Sequence, residues 1–308
     1  MGLRRFIESL PIGKVKSFSH FNEGFQNTIY KIKTSNRKFC LRIYNKNKKN
    51  HISYEVNLLN KVKGIKVPKL VKVKGGYIFK VGKKYAILYE YIEGSNPKSL
   101  NLLQLKSIAK FLAQYHNKTD NFRWNKYRYE WYNLPDWKIY RYSAFSKKKK
   151  VPYLKYLSHI IKELKNNKLS DKLPKGPIHI DLSVNNIIFH KGKLAAVTDF
   201  DNSYIGPLIL DIGKSVMFMA TKNGNFSVDK AVIFIKEYMK HRKLSKLEYS
   251  ELYKAIKYAF LSHIFVDYYM KAINLTTKKY FDFIIKNLYK AYNGIKITKE
   301  EFYSKLNE

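Results

Sequence analysis

The spacing of apolar residues changes once along this chain, from a period near two to a period near four, and the change predicts two unlike halves. Leu3, Phe6, Ile7 and Leu10 recur at helical spacing and stop at Pro11, so a short amphipathic helix opens the chain. Residues 18–21, 28–34 and 38–44 are short alternating or β-branched segments separated by turn residues, which predicts a three-strand meander. Ile52, Val56, Leu59 and Val62 then share one helical face, and Gly64 stands where a helix end prefers glycine. Further strands are expected at 70–73, 77–81 and 85–91. The break at 92–97, which contains Glu93, Gly94 and Pro97, divides the chain into residues 1–92, a β-rich lobe with one helix, and residues 93–308.

The second part reads as mostly helical. Leu102, Leu105, Ile108, Leu112 and Tyr115 line one face of a long helix ending near His116. Residues 119–150 are polar, rich in Trp and Tyr and weakly periodic, so they read as an irregular insertion. Helices are expected at 151–169, 208–221, 228–241, 246–273 and 278–291. The exception is a pair of apolar strands, 186–190 and 193–200, joined at Lys191 and Gly192 as a hairpin turn. The fold class is therefore α+β, with a small antiparallel lobe and a larger helical one.

Composition narrows the partners. The 308 residues are 45% hydrophobic and 16% aromatic, enough to bury a core in each of two lobes. A formal charge of +37 invites a polyanion reading, yet the lysines run along the whole chain and form a run only at 147–150, which favours a solvated basic surface over a nucleic-acid stripe. The single cysteine, Cys40, excludes an intramolecular disulfide framework and a cysteine metal cluster. The first residues lack a signal-peptide pattern, and no apolar segment is long enough to span a bilayer, so a cytoplasmic protein is expected. Oligomeric state is left open.

The chemistry is concentrated at 176–201. Phosphoryl transfer requires a carboxylate to take the proton of the attacking hydroxyl and oxygen ligands to hold Mg²⁺ on the nucleotide phosphates. Asp181 suits the first need. Asn186, at the start of one strand, and Asp199, at the end of its hairpin partner, can converge on one metal.

The spacing His179-x-Asp181-x-x-x-x-Asn186, followed by Asp199-Phe200 after a hairpin, resembles the catalytic loop and metal motif of the aminoglycoside phosphotransferase and choline kinase superfamily, which has the two-lobed protein-kinase-like fold. The resemblance implies Asp181 as catalytic base, Asn186 and Asp199 as Mg²⁺ ligands, His179 as a loop-positioning residue and Asp211 as the brace of the catalytic loop. It also implies ATP as phosphoryl donor. In the first lobe it implies a phosphate loop at 22–28 with Gly24 and Asn27, and a nucleotide-binding Arg42 in the place of the usual lysine, with Glu55 positioned to pair with it. Glu90 to Ile92 resembles the hinge that meets adenine through its backbone. Ser183 stands where protein kinases carry lysine, and only the short segment 200–210 separates Asp199 from Asp211, which leaves little room to dock a peptide. A small hydroxyl acceptor is the better expectation.

The layout of the whole chain is most similar to the homoserine kinase branch, although Asp201 to Tyr204 departs from it toward the general antibiotic-kinase type. Choline, ethanolamine and aminoglycoside acceptors, or less readily a protein, stay open. For an amino acid acceptor, Arg123, Arg128 and Arg141 are candidates to hold its carboxylate and Asp201 its ammonium. A strongly basic chain is poorly suited to a polycationic aminoglycoside.

Overall fold

The computed structural model describes residues 2–21, 27–45 and 49–308. In chain order the first elements are α1 (Leu3–Glu8), β1 (Val15–Phe21), β2 (Asn27–Thr34), β3 (Lys38–Tyr44), α2 (Lys49–Lys61), β4 (Leu70–Val71), β5 (Phe79–Val81) and β6 (Lys84–Glu90). Next come α3 (Leu102–Thr119), α4 (Asp136–Lys148), α5 (Leu157–Asn166), β7 (Lys175–Ile178), β8 (Ile187–His190), β9 (Lys193–Val197) and β10 (Tyr204–Pro207). The chain closes with α6 (Leu208–Ala220), α7 (Val228–His241), α8 (Lys246–Ala272), α9 (Lys278–Ile284), α10 (Lys290–Asn293) and α11 (Lys299–Asn307).

Two compact units result. One comprises Met1–Pro97, Asn121–Arg128 and Asn185–Asp201; the other comprises Lys98–Asp120, Tyr129–Val184 and Asn202–Glu308. In the first, an antiparallel sheet has the order β1-β2-β3-β6-β4, with β5 also paired to β6. Ile7 and Leu10 from the opening segment pack with Ile32, Phe39, Leu41 and Leu88 in its core. Strand β3 lies in the middle of the sheet and is buried on both faces, so Arg42 is buried along with its apolar neighbours Leu41 and Ile43. The β8–β9 hairpin belongs to this unit. Its turn residues Lys191 and Gly192 have φ of +49° and +76°, the left-handed pair that a two-residue hairpin matching the strand twist requires.

The second unit is helical around a short β7–β10 pair. Every residue of α6 except Phe218 is buried, as expected of a helix that is apolar on nearly all sides. A Cβ on Gly213 would lie 2.5 Å from the Ala255 carbonyl oxygen, so glycine is what lets α6 lie this close to α8. Among the described residues no helix is long and apolar enough to cross a membrane.

Two sequence expectations are corrected. The segment 119–150 is not irregular throughout, because it contains α4, entered through Pro135 with Asp136 in its first turn. Its buried face is Lys138, Ile139, Tyr142 and Ser146, too polar to register as an apolar period. Lys138 Nζ is satisfied by the carbonyls of Glu130 and Asn133, and Tyr142 stacks on Tyr269 with ring centroids 3.7 Å apart. The expected helix 278–291 is interrupted by a π-helical turn, Ile285–Tyr289.

Candidate active site

In the first unit the charged groups converge on Arg42. Its guanidinium donates to Glu55 Oε1 at 3.3 Å, Asp199 Oδ1 at 3.0 Å and Asp201 Oδ2 at 2.6 Å. Glu55 is fixed in turn by the hydroxyls of Tyr44 at 2.7 Å and Tyr89 at 3.2 Å. A buried cation surrounded by carboxylates and phenols in this way is satisfied and oriented. Arg42 Nε remains without a hydrogen-bond partner among the described residues.

The hairpin brings Asn186 and Asp199 to one end. The Asn186 carbonyl accepts the backbone N–H of Thr198 at 2.8 Å, directly before Asp199. Asp199 has φ of +66°, a left-handed conformation that costs energy in a non-glycine residue. Its side chain keeps 40% exposure although one oxygen meets Arg42. Asp201 is held by Arg42 and by Asn27 Nδ2 at 3.1 Å. Burial and then repulsion from Asp199 push the Asp201 carboxyl above its ordinary range, while Arg42 and Asn27 draw it back. Among the described residues no three His, Cys, Asp or Glu side chains cluster as a metal site. A metal held by Asp199 and Asn186 therefore needs ligands from phosphate or water, the usual mode for Mg²⁺ with hard oxygen donors.

In the second unit the loop before Asp181 is clamped. Asp211, fully buried on α6, accepts the backbone N–H of His179 at 2.7 Å on one oxygen and that of Ile180 at 2.8 Å on the other. Ile180 is a β-branched residue at φ of +65°, a strained conformation that the clamp stabilises. The His116 ring nitrogen Nε2 lies 3.1 Å from Asp211 Oδ2, and its Nδ1 lies 2.6 Å from the Tyr238 hydroxyl. Burial lowers the His116 pKa, so the ring is neutral, donating from Nε2 to the carboxylate and accepting at Nδ1 from Tyr238. Asp181 is half-buried, and its carbonyl accepts from Ser183 N–H at 2.9 Å.

The sequence-predicted residues thus fall into two groups, each within its own unit: Asn27, Arg42, Glu55, Asn186 and Asp199 in one, and His179, Asp181 and Asp211 in the other. Glu90 ends β6, where its N–H bonds to the Lys69 carbonyl, and half-buried Ile92 follows. Gly24 lies outside the described residues. Of the expected carboxylate and ammonium partners, Arg128 and Asp201 are committed to other groups. Arg128 donates to the carbonyls of His51, Phe200 and Asp201, and Arg123 to the carbonyl of Phe122. Arg141 is exposed, and Asp201 is already bound by Arg42 and Asn27. Sequence reading missed His116 and Tyr238 because each sits on a helical apolar face, where an aromatic ring reads as core.

Comparison with known proteins places the chain in a family and its fold among solved kinases. Residues 17–238 match the model of the phosphotransferase enzyme family. The homoserine kinase of Rhodopseudomonas palustris (strain BisB18) is 26% identical over 253 residues, covering 80% of this chain and 77% of that protein. The homoserine kinase of Bradyrhizobium diazoefficiens is also 26% identical, over 257 residues, covering 81% and 78%. The fold superposes on an amicoumacin kinase, solved in complex with AMP-PNP, Ca²⁺ and Ami, with a TM-score of 0.71 at 15% identity, covering 98% of this chain and 95% of that one.

Proposed function

Because the chain belongs to the phosphotransferase enzyme family, we propose that it transfers the γ-phosphate of ATP to the hydroxyl of a small metabolite, with L-homoserine as the acceptor. The observation that carries the reading is the Asp211 clamp, which holds the backbone of His179 and Ile180 so that Asp181 follows from a fixed, strained turn. A base that must meet a hydroxyl within a few tenths of an ångström needs such a support.

In this reading Asp181 takes the hydroxyl proton as the acceptor oxygen bonds to γ-phosphorus. The bond from γ-phosphorus to the bridging oxygen breaks, and ADP leaves. Arg42, held by Glu55, turns its guanidinium to the phosphate oxygens, for which a planar fork is well shaped. Asp199 and Asn186 would hold Mg²⁺, which when bound would neutralise charge on the nucleotide phosphates. Residues 1–92 serve the nucleotide, with Gly24 and Asn27 at the phosphate loop and the backbone of Glu90 to Ile92 at adenine. Residues 93–308 carry the base and receive the acceptor. Homoserine as acceptor is supported by the two relatives named above, each alike over about four-fifths of this chain.

The test is acceptor-dependent ADP release from ATP and Mg²⁺ across amino acids, amino alcohols, sugars and aminoglycosides, with the product identified by ³¹P NMR. Formation of an O-phospho ester with L-homoserine supports the reading. Turnover with choline or ethanolamine in its place moves the acceptor, and labelling of protein alone overturns the small-molecule assignment.

A further inference from the structure

Three ionisable side chains of the second unit lie buried and are not used in the chemistry above. Lys214, on α6 one turn beyond Asp211, is 0% exposed, and its Nζ has no hydrogen-bond partner among the described residues. Its contact is with the face of Tyr132, 3.5 Å from the ring centroid. On α8, Asp267 is 3% and His263 5% exposed. His263 Nε2 and Asp267 Oδ2 lie 3.4 Å apart but are too poorly aligned to hydrogen-bond, so both atoms lack a partner as well. A buried lysine and a buried aspartate that do not close on each other are a costly arrangement for a fold.

Their surroundings point to a use. Asp181 acts electrostatically on both Lys214 and Asp267, and the carboxylates of Asp181 and Asp267 act in the same way on Tyr132 and Tyr280. Burial holds the Lys214 pKa well below that of an ordinary lysine and raises the Asp267 carboxyl to about 8, as expected of groups awaiting a counter-charge. The neutral His263 ring, stacked on Tyr132 and bonded to its hydroxyl at 3.2 Å, fixes the wall that carries Asp267.

We propose that Lys214 and Asp267 form the acceptor subsite beside Asp181, Lys214 holding a carboxylate and Asp267 an ammonium, so that the substrate class is an α-amino acid with a side-chain hydroxyl. The inference rests on the kinase reading above and deepens it. An α-amino acid carries both charges on one carbon and supplies each buried group with its opposite. Choline or ethanolamine brings a cation for Asp267 and leaves Lys214 unpaired, and a sugar brings neither charge. A site built around buried polar groups rejects the analogue that leaves one unpaired.

The experiment compares L-homoserine with 3-amino-1-propanol, which lacks the carboxylate, and 4-hydroxybutanoate, which lacks the ammonium, by ADP release and by calorimetric binding with AMP-PNP present. The wild type should favour L-homoserine over either analogue by about 10²-fold or more in kcat/KM. Lys214→Met should raise the homoserine KM by about 10²-fold and leave 3-amino-1-propanol unchanged; Asp267→Asn should likewise raise the homoserine KM and leave 4-hydroxybutanoate unchanged. Equal use of L-homoserine and 3-amino-1-propanol, or an unchanged preference in both variants, overturns the subsite. Binding of L-homoserine that depends on Lys214 without ADP release supports the subsite and sinks the catalytic reading. ADP release with choline and no homoserine binding keeps the kinase and overturns the subsite.

Discussion

Asp211 receives the backbone N–H of Ile180 at 2.8 Å, and Ile180 is held at φ of +65°, where a β-branched residue does not stay unaided. The brace and the strain are therefore one device. Asp211→Ala leaves the N–H groups of His179 and Ile180 and the His116 ring without their acceptor inside a fully buried site. A loss of about 3–5 kcal/mol in unfolding free energy is expected, with kcat falling and ATP affinity unchanged in the fraction that folds. Urea titration and nucleotide calorimetry on the same preparation check both parts.

Arg42 joins Glu55, Asp199 and Asp201, so its removal has a stability effect as well as a binding one. Arg42→Ala should weaken ATP binding more than acceptor binding and lower stability by about 3–5 kcal/mol, since it strips Glu55 of its cation. Arg42→Lys should recover part of each, because a point charge reaches fewer oxygens than a fork. An unaltered ATP Kd in Arg42→Ala returns the residue to a purely structural role.

Asp199 supplies charge and oxygen, Asn186 oxygen alone. Both Asp199→Ala and Asn186→Ala should raise the Mg²⁺ concentration needed for half-maximal turnover, the aspartate variant by more, with partial recovery at high Mg²⁺. A metal titration that neither substitution moves removes them from the metal site.

Lys214 and Asp267 are predicted to oppose stability in the free protein. The Asp267 carboxyl is raised to about 8, above its unfolded value, so the stability it allows is full in acid and is lost as pH rises toward 8. Lys214 from α6, Asp181, Tyr132 and Tyr280 interact with it electrostatically, and His263 on the same helix lies 3.4 Å from it. Asp267→Asn should therefore gain Tm over the wild type as pH goes from 4 to 8, with little further change above, and Lys214→Met should raise Tm at neutral pH. Differential scanning across that range reads both. A loss of Tm in both variants indicates residues that hold the fold together and do not serve a ligand.

Much of this was legible in the sequence where local pattern and spacing agree. The hairpin turn at Lys191 and Gly192 and the bounds of β3 follow from short-range periodicity, whereas the pairing of Arg42 with Glu55 is implied by the family resemblance. The reading failed where side chains change character on burial. In α4, Lys138 serves as a core residue because three carbonyl groups surround its ammonium, which no hydropathy pattern registers. Likewise Lys214 looked like one more lysine in a basic chain, and only the packing of α6 against α8 at Gly213 shows it buried. Asp201 is a candidate for the acceptor ammonium by sequence, but the structure commits it to Arg42 and Asn27, contacts that bridge more than 150 residues of sequence.

The central claim is that Asp181 is the base for transfer to a small hydroxyl acceptor, and a single measurement tests it most directly. ATP, Mg²⁺ and L-homoserine are incubated with wild type and with Asp181→Asn, and O-phosphohomoserine is quantified by ³¹P NMR beside the ATP Kd of each protein. The account predicts product equimolar with ADP in the wild type and a rate lower by about 10² to 10⁴ in the variant, with ATP Kd unchanged. Near-wild-type product formation by Asp181→Asn would contradict it.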